Sequence, residues 1–402
     1  MISVDEAKKI IMDETPLGPP AVSPLEESLG CVLARDQQAP FDFPLFSNSA
    51  MDGFALRASD LSSASKDSPV SLPVQGVIKA GDQPPPLEIG KAAKIMTGAM
   101  IPPHADTVVQ KEIVQEECGS VHFISPARKG ANVRFQGEEI KKGESALSRG
   151  TSLTPGALGF LSSLGVQEVQ VYQKPRVMLL STGSELVKGR EQLQPGKIFE
   201  SNSKSLRAAL QEIPCEIILL PIFADDPELL KKRLQIEIDR FNFLLLSGGV
   251  SVGEYDHTKS VLEEIGVRTL FWKVAQKPGK PLYFGRKGRT IVFGLPGNPA
   301  SALVCFYEYV RPALLKALGF SHAQLKTMKA PLRGSFEKKS GLTHFLKGHF
   351  SSNGIGKGVE ILEGQGSHMM GSFAKANCLV VLPREGEIFR KGDEVEIHLL
   401  PL

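Results

Sequence analysis

No stretch of this 402-residue chain approaches the roughly 18 consecutive apolar residues that a membrane-spanning helix requires, so the sequence offers no span. Cysteine is scarce and never paired in sequence. Cys31, Cys118, Cys215, Cys305 and Cys378 are odd in number, far apart and without a Cys-x-x-Cys pair. They read as reduced, mostly buried thiols of a cytoplasmic protein, not as a zinc site or a disulfide framework. An excess of charge is also missing: 47 Lys and Arg against 44 Asp and Glu leave a net +3. That excludes a broad duplex-binding surface and leaves local basic clusters suited to a small anion, so neither nucleic acid nor membrane is expected as a partner. There is no internal repeat and no low-complexity tract. The N-terminus has no signal-peptide pattern either, because Ser3 and Glu6 are spaced as a capping box ahead of Ala7, Ile10 and Ile11 and predict the start of a helix.

What is present is an ordinary globular composition, 42% hydrophobic and 23% charged, over a length that suggests two to four domains. Residues 3–39 read as mostly helical, with Leu25, Leu29, Val32 and Leu33 on one face, until Pro40 and Pro44 interrupt the pattern. From 49 to 143, short alternating runs at 74–78, 107–113 and 121–124, separated by Gly and Pro clusters, predict a small β domain. A helix over 154–164 and a strand over 168–172 should pack back on the N-terminal helices. From Arg176 the period changes to that of a doubly wound parallel sheet. Its strands are expected at 177–181, 216–223, 243–246, 268–274 and 290–293, with helices starting near Ser203, Pro227, Asp256 and Pro299. Phe284 and Ile291 are expected to face one another across a hairpin. The tail from 325 to 402 is Gly-punctuated and reads as a small all-β domain.

Three strands of the α/β region run into Gly-rich loops that feed helices, and ligands of open α/β sheets bind at such strand ends. The loops contain Gly183 and Ser184; Ser247, Gly248, Gly249, Ser251 and Gly253; and Pro296, Gly297 and Asn298, with Pro299 placed as a first helical residue. Glycine lets the backbone approach an oxyanion, and three such loops within ~120 residues point to an anionic, phosphorylated ligand. Carboxylates stand beside them: Glu185, Asp225, Asp226, Glu254 and Asp256. Acids next to phosphate need a cation between, and Mg²⁺ suits one or two carboxylates plus ligand phosphates. Asp226, before Pro227, is better explained as an N-cap, and Asp256 fits either role. Lys273, Lys277 and Lys280 form a basic cluster, the last two in a Pro-stiffened loop. Outside this region the segments around Asp52 and Thr97 are unusual, although Asp52-Gly53 alone is simply a good turn pair.

Six strings, at 49–55, 97–99 with Ala105-Asp106, 181–186, 247–253, 277–281 and 294–299, resemble in order and spacing the molybdopterin molybdenumtransferase family, which includes the bacterial MoeA proteins and the gephyrin E domain. The resemblance runs from about Ser3 to Val395. It implies a multidomain α/β plus β fold. In this arrangement 1–48 and 144–174 form a discontinuous dimerisation domain, 49–143 an inserted β domain, 175–320 a molybdopterin-binding α/β domain and 325–402 a C-terminal β-barrel-like domain. It further implies a homodimer, adenylylated molybdopterin and molybdate as substrates, AMP release and a Mg²⁺ requirement. The upstream adenylyltransferase and downstream molybdoenzyme delivery proteins become candidate partners. The family's functional residues fall on Asp52, Thr97, Glu185, Asp225 and Asp256 as catalytic groups, the family's Asp-Asp pair covering Asp225 and Asp226, with Glu185, Asp225 and Asp256 as metal ligands. The loop residues named above, Lys273, Lys277, Lys280 and Arg134 fall on the substrate-binding set, and Asp52 is implied to serve a cleft shared between subunits. The chain departs from the family at Phe135 and Gln136, which remove positive charge beside Arg134, at Glu139, where the family usually has an aspartate, and at His257; Ser367-His368 is a loose match. Two rival readings are the adenylyltransferase, whose single domain resembles 176–318, and a non-catalytic gephyrin-like scaffold. A dehydrogenase is disfavoured by the missing Gly-x-Gly-x-x-Gly.

Overall fold

The computed structural model describes residues 1–223, 226–249, 258–352 and 357–401. They belong to two units, one of Met1–Arg35, Gly150–Pro155 and Glu168–Leu402, the other of Asp36–Arg149 and Gly156–Gln167.

The first unit is organised by a six-stranded sheet: β1 (Arg176–Ser181), β2 (Glu216–Leu219), β3 (Phe243–Ser247), β4 (Arg268–Trp272), β5 (Tyr283–Lys287) and β6 (Thr290–Leu295). Their order is β2-β1-β3-β6-β5-β4. The apolar runs of β1, β3 and β6 are buried on both faces, as parallel central strands must be. Alternate residues serve opposite layers. Val177, Leu179, Phe243, Leu245, Ile291 and Phe293 pack on one side with Leu206, Leu210 and Leu314, while Met178, Leu180, Leu244, Leu246 and Val292 pack on the other with Leu230, Leu234, Val261 and Leu262. The sheet is mixed, not wholly parallel. β1 is parallel to β2 and β3, and β3 to β6, but β5 is antiparallel to both β6 and β4. Only two residues join β5 to β6, and so short a link admits only an antiparallel pair. Lys287 therefore meets Thr290 and Phe284 meets Phe293, with Ile291 opposite Arg286 instead.

The helix Val4–Glu14 begins on the expected capping box, Ser3 Oγ accepting from Glu6 N and Glu6 Oε2 from Ser3 N. The expected helical continuation to residue 39 is absent. Pro16, Pro19, Pro20 and Pro24 remove donors and fix φ, and Pro20–Pro24 becomes a strand paired antiparallel with Glu168–Tyr172. Val32 and Leu33 are buried through isolated bridges, while Leu29 is 56% exposed, so these residues share no helical face. The C-terminal segment builds a second sheet from Thr327–Pro331, Thr343–Ser351, Gly358–Ile361, Cys378–Leu382 and Glu394–Leu399. The short strand Gln276–Lys277 joins its edge in parallel with Thr343 and His344.

In the second unit, Gly53–Leu56 lies between Thr107–Gln110 and Ala92–Ile95 in a six-stranded sheet completed by Val70–Ile78, Ser120–Phe123 and Gln115–Glu117. The helix Pro155–Ser163 forms as expected, but its Phe160 packs with Ala39, Phe41, Phe43, Ile140 and Leu164 instead of with the N-terminal helix.

Candidate active site

β1, β3 and β6 are adjacent and parallel, so their carboxyl ends open on the same edge, and the three Gly-rich loops enclose one cavity of about 580 Å³. Local sterics explain the glycines. Gly248 and Gly249 have φ of +94° and +67°, and a Cβ on either would collide with Thr182 or Thr258. At Gly183 a Cβ would meet the Glu185 carboxylate oxygens at 2.8 and 2.9 Å, so glycine there leaves room for that carboxylate to fold back over the loop. Of the residues expected from sequence, Gly183, Glu185, Ser247, Gly248, Gly249, Pro296, Gly297 and Asn298 line this cavity. Ser184 does not; its carbonyl accepts from Lys197 Nζ at 2.7 Å. Asp225, Ser251, Gly253 and Asp256 lie outside the described residues, as do Glu254 and His257.

The cavity also has members that the sequence reading did not single out. Asn202 Nδ2 donates to Ser247 Oγ at 2.8 Å and to Gly297 O at 2.7 Å, tying the second and third loops together. Glu200 is buried and accepts from Ser181 Oγ (3.1 Å), Ser203 N (2.7 Å) and Ser203 Oγ (2.5 Å). A buried acid with three donors is a structural anchor for the first loop. Neither residue stood out because each lies in a polar run, 200–205, without a glycine signal. Thr182 Oγ1 is buried with no hydrogen-bond partner among the described residues.

His368 reaches the cavity from the C-terminal segment, and its loop is held by a buried lysine. Lys347 Nζ donates to the carbonyls of Gly364 (2.7 Å), Gly366 (3.1 Å) and Met369 (3.1 Å), and burial lowers its pKa. The same loop returns a bond to the helix beginning at Pro299, Ala300 N donating to Ser367 O at 3.1 Å. The lysines stand apart from the cavity lining. Lys277 and Lys280 are exposed on a loop whose last residue, Pro281, does line it, and Lys273 places Nζ 4.1 Å from the Trp272 ring centroid.

Asp226 caps the helix Pro227–Glu237, accepting from Glu228 N and Leu229 N, so the N-cap reading of that acid holds. Among the described residues no group of three or more His, Cys, Asp or Glu is arranged to hold a metal ion. The cysteines are free; Cys31, Cys305 and Cys378 are buried, Cys215 partly so and Cys118 exposed.

A second cluster stands in the second unit. Asp52 Oδ1 accepts from Thr97 N (2.9 Å) and Thr97 Oγ1 (2.8 Å), and Oδ2 pairs with Lys111 Nζ at 3.1 Å. The two Thr97 donors, then Lys111, lower the Asp52 pKa to about 2. Asp52-Gly53 is more than a turn pair. Gly53 opens a buried strand, and a Cβ there would strike the carbonyl of Val109 on the neighbouring strand. Gly98 N donates to Ser49 O and Ser49 N to Ala99 O, which clamps the Thr97 loop to the strand Asn48–Ser49. Arg134 is exposed on Val133–Arg134, which pairs with that strand, so Asp52, Thr97 and Arg134 belong to adjoining segments. The departing residues Phe135 and Gln136 are exposed beside it.

The family comparison covers the chain in three stretches: the MoeA N-terminal region (domain I and II) matches residues 2–165, a probable molybdopterin binding domain 178–316, and the MoeA C-terminal region (domain IV) 329–400. A Haemophilus influenzae protein named molybdopterin molybdenumtransferase is 37% identical over 416 residues, and one of that name from Synechococcus elongatus is 35% identical over 408, each with 100% of both chains covered. The crystal structure of a Pyrococcus horikoshii molybdopterin biosynthesis MoeA protein superposes with a TM-score of 0.84 at 31% identity over 100% of both chains. These define a multidomain α/β transferase architecture. The chain belongs to the molybdopterin molybdenumtransferase family, a family of molybdenum cofactor biosynthesis. The N- and C-terminal matches answer the single-domain adenylyltransferase alternative, which accounted only for residues 176–318.

Proposed function

We propose that this chain transfers molybdenum from molybdate into adenylylated molybdopterin, releasing AMP, with Mg²⁺ required. The observation that carries the reading is the convergence of three glycine loops from adjacent parallel strands on one cavity with Glu185 in its wall. Its size, about 580 Å³, lies within the range of small-molecule sites. Glu185 offers hard oxygen donors, and Mg²⁺ is commonly held by one or two carboxylates plus substrate phosphates, so the donor chemistry fits. Glu185 would hold the ion, with Asp225 and Asp256 as the other candidates. Bound Mg²⁺ would offset the negative charge of the phosphates.

The chain's own groups supply binding and orientation. The loop glycines admit an anionic group close to the backbone, Asn202 fixes the spacing of two loops, and Lys277 and Lys280 bring positive charge to the loop that ends at Pro281. Lys273, Ser251 and Gly253 are proposed for the same substrate. With a pKa of about 2, Asp52 is a fixed anion at neutral pH, which suits charge positioning better than proton transfer. Thr97 holds it, and Arg134 adds a cation on an adjoining segment. We further propose a homodimer in which Asp52 of one subunit serves the cleft of the other. Exposed Leu17, Val22 and Leu29 in the N-terminal region support an apolar contact.

The test is an assay of the purified protein with adenylylated molybdopterin, molybdate and Mg²⁺. AMP release and a product that activates a molybdenum-free molybdoenzyme are expected. Synthesis of adenylylated molybdopterin from ATP and molybdopterin, without molybdate, would overturn the reading.

A further inference from the structure

Gln276 is fully buried beneath the loop Lys277-Pro278-Gly279-Lys280-Pro281, and both ends of its amide are engaged. Nε2 donates to Pro278 O at 3.1 Å and Gly279 O at 3.2 Å, and it lies 3.6 Å from Cys305 Sγ. Oε1 accepts from the Tyr309 hydroxyl. A buried amide is costly unless its polar atoms are paired, so this arrangement holds one side-chain geometry firmly. Cys305 closes the floor: Gly279 has φ +85°, and a Cβ there would collide with the cysteine sulfur. Val274 N donates to Lys280 O at 2.9 Å and closes the loop at its base.

Tyr309 belongs to a π-turn, Phe306–Val310, in the helical run that begins at Pro299 on the cavity wall. A π-turn widens the helix locally and re-aims its side chains, and such turns are frequent at functional sites. Here Tyr309 lies within that turn, and its hydroxyl donates to Gln276 Oε1 beneath the loop. The carbonyls of Pro278 and Gly279 are thus fixed from below by groups that solvent does not reach, while the two flanking lysines remain exposed.

We propose that Gln276 is a positioning residue. By fixing the carbonyls of Pro278 and Gly279 against Tyr309, it presents Lys277 and Lys280 as a preorganised pair of cations to the anionic substrate. The inference rests on the substrate reading above. Preorganisation matters because a misplacement of about 1 Å can cost on the order of 100-fold. Methionine at 276 would fill the same space but leave the Tyr309 hydroxyl and the loop carbonyls without that partner.

The experiment compares Gln276→Met, the pair Lys277→Ala with Lys280→Ala, and the triple variant. AMP and molybdate are each titrated alone by calorimetry, and KM, kcat and thermal midpoint are recorded. The lysine pair is expected to weaken at least one ligand, which then serves as the reporter. Gln276→Met should weaken that same ligand by about 10- to 100-fold and raise its KM more than it lowers kcat. In the triple variant it should add nothing further to the affinity loss, yet still lower the thermal midpoint, because it acts through the lysines. A lower midpoint with unchanged affinity, or an affinity loss that multiplies with that of the lysine pair, would overturn the proposal while leaving the lysine reading intact. Wild-type affinity for both ligands in the lysine pair would overturn the lysine reading itself and this inference with it. Should Gln276→Met fail to fold, Tyr309→Phe removes only the hydroxyl. It is expected to weaken the reporter ligand by about 3- to 10-fold, and no loss would count against the proposal.

Discussion

Asp52 is held as an anion by two donors from Thr97 and one from Lys111. Asn at this position retains an acceptor for both Thr97 bonds but turns an amide nitrogen, a donor, toward Lys111, so Asp52→Asn keeps the side-chain shape and the Thr97 contacts while removing the charge and the Lys111 pair. A folded protein that still binds adenylylated molybdopterin but inserts molybdenum at least ~100-fold more slowly is expected, measured as cofactor formed per unit time. Because the folded pKa is depressed to about 2, the stability this carboxylate contributes is present above about pH 3.9 and is lost as pH falls through 2. An acid limb of activity between pH 4 and 6 must therefore come from other groups. The neighbouring glycine makes a different prediction. Gly53→Ala drives a methyl group into a backbone carbonyl of the adjacent strand, which cannot yield as a side-chain tip would. We expect a loss of about 1–3 kcal/mol or more in chemical denaturation. The sequence reading found Asp52 by resemblance, but composition alone assigned the dipeptide to a turn. That assignment missed the cause, since the close approach of two strands far apart in the chain leaves no local mark.

At the scale of elements, the helical run after Pro299 meets both the N-terminal helix and the C-terminal sheet through one buried ionic group. Glu308 in the π-turn pairs with Lys8 Nζ at 2.6 Å and His398 Nδ1 at 2.7 Å, and His398 Nε2 lies 2.8 Å from Glu396. Burial opposes charge on Glu308, but the His398 bond and the Lys8 charge outweigh it and lower its pKa. Burial likewise opposes protonated His398, and the bond and charge of Glu308 outweigh it and raise its pKa. The His398 contribution is fully present below its unfolded value near 6.5 and is lost as pH rises through the folded value, while that of Glu308 is present above about 4.3 and is lost as pH falls through its folded value. The thermal midpoint should therefore be favoured between about pH 4.3 and 6.5 and decline on the alkaline side. His398→Gln should flatten that decline, and an unchanged alkaline slope would refute the assignment. None of this cluster was legible beforehand, because Lys8 lies 300 residues from Glu308 and His398 a further 90 beyond it. The central strands were readable because apolar runs bounded by glycine loops carry their own signal. The stretch from 15 to 39 was misread, since its leucines have helical spacing while its prolines forbid the helix.

For the whole molecule, the ordered motifs made the family readable, and the full-length relatives agree. Sedimentation at micromolar concentration is expected to give a species of twice the 43.5 kDa chain mass, and a stable monomer would sink the shared-cleft proposal. The paired cations of the Lys277 loop, the Glu308 group and the glycine loops all belong to the first unit, so a reporter on the second unit would observe Asp52 and its surroundings separately. The thiols provide one. Burial pushes Cys215 up to about 11 and Cys378 up to about 12, and raises Cys31 and Cys305 as well, which suppresses the reactive thiolate. Cys118 is the exposed cysteine, set in the turn between Gln115–Glu117 and Ser120–Phe123. A maleimide dye at neutral pH should therefore label the wild-type chain at one position, giving an optical probe of the second unit without any engineered cysteine.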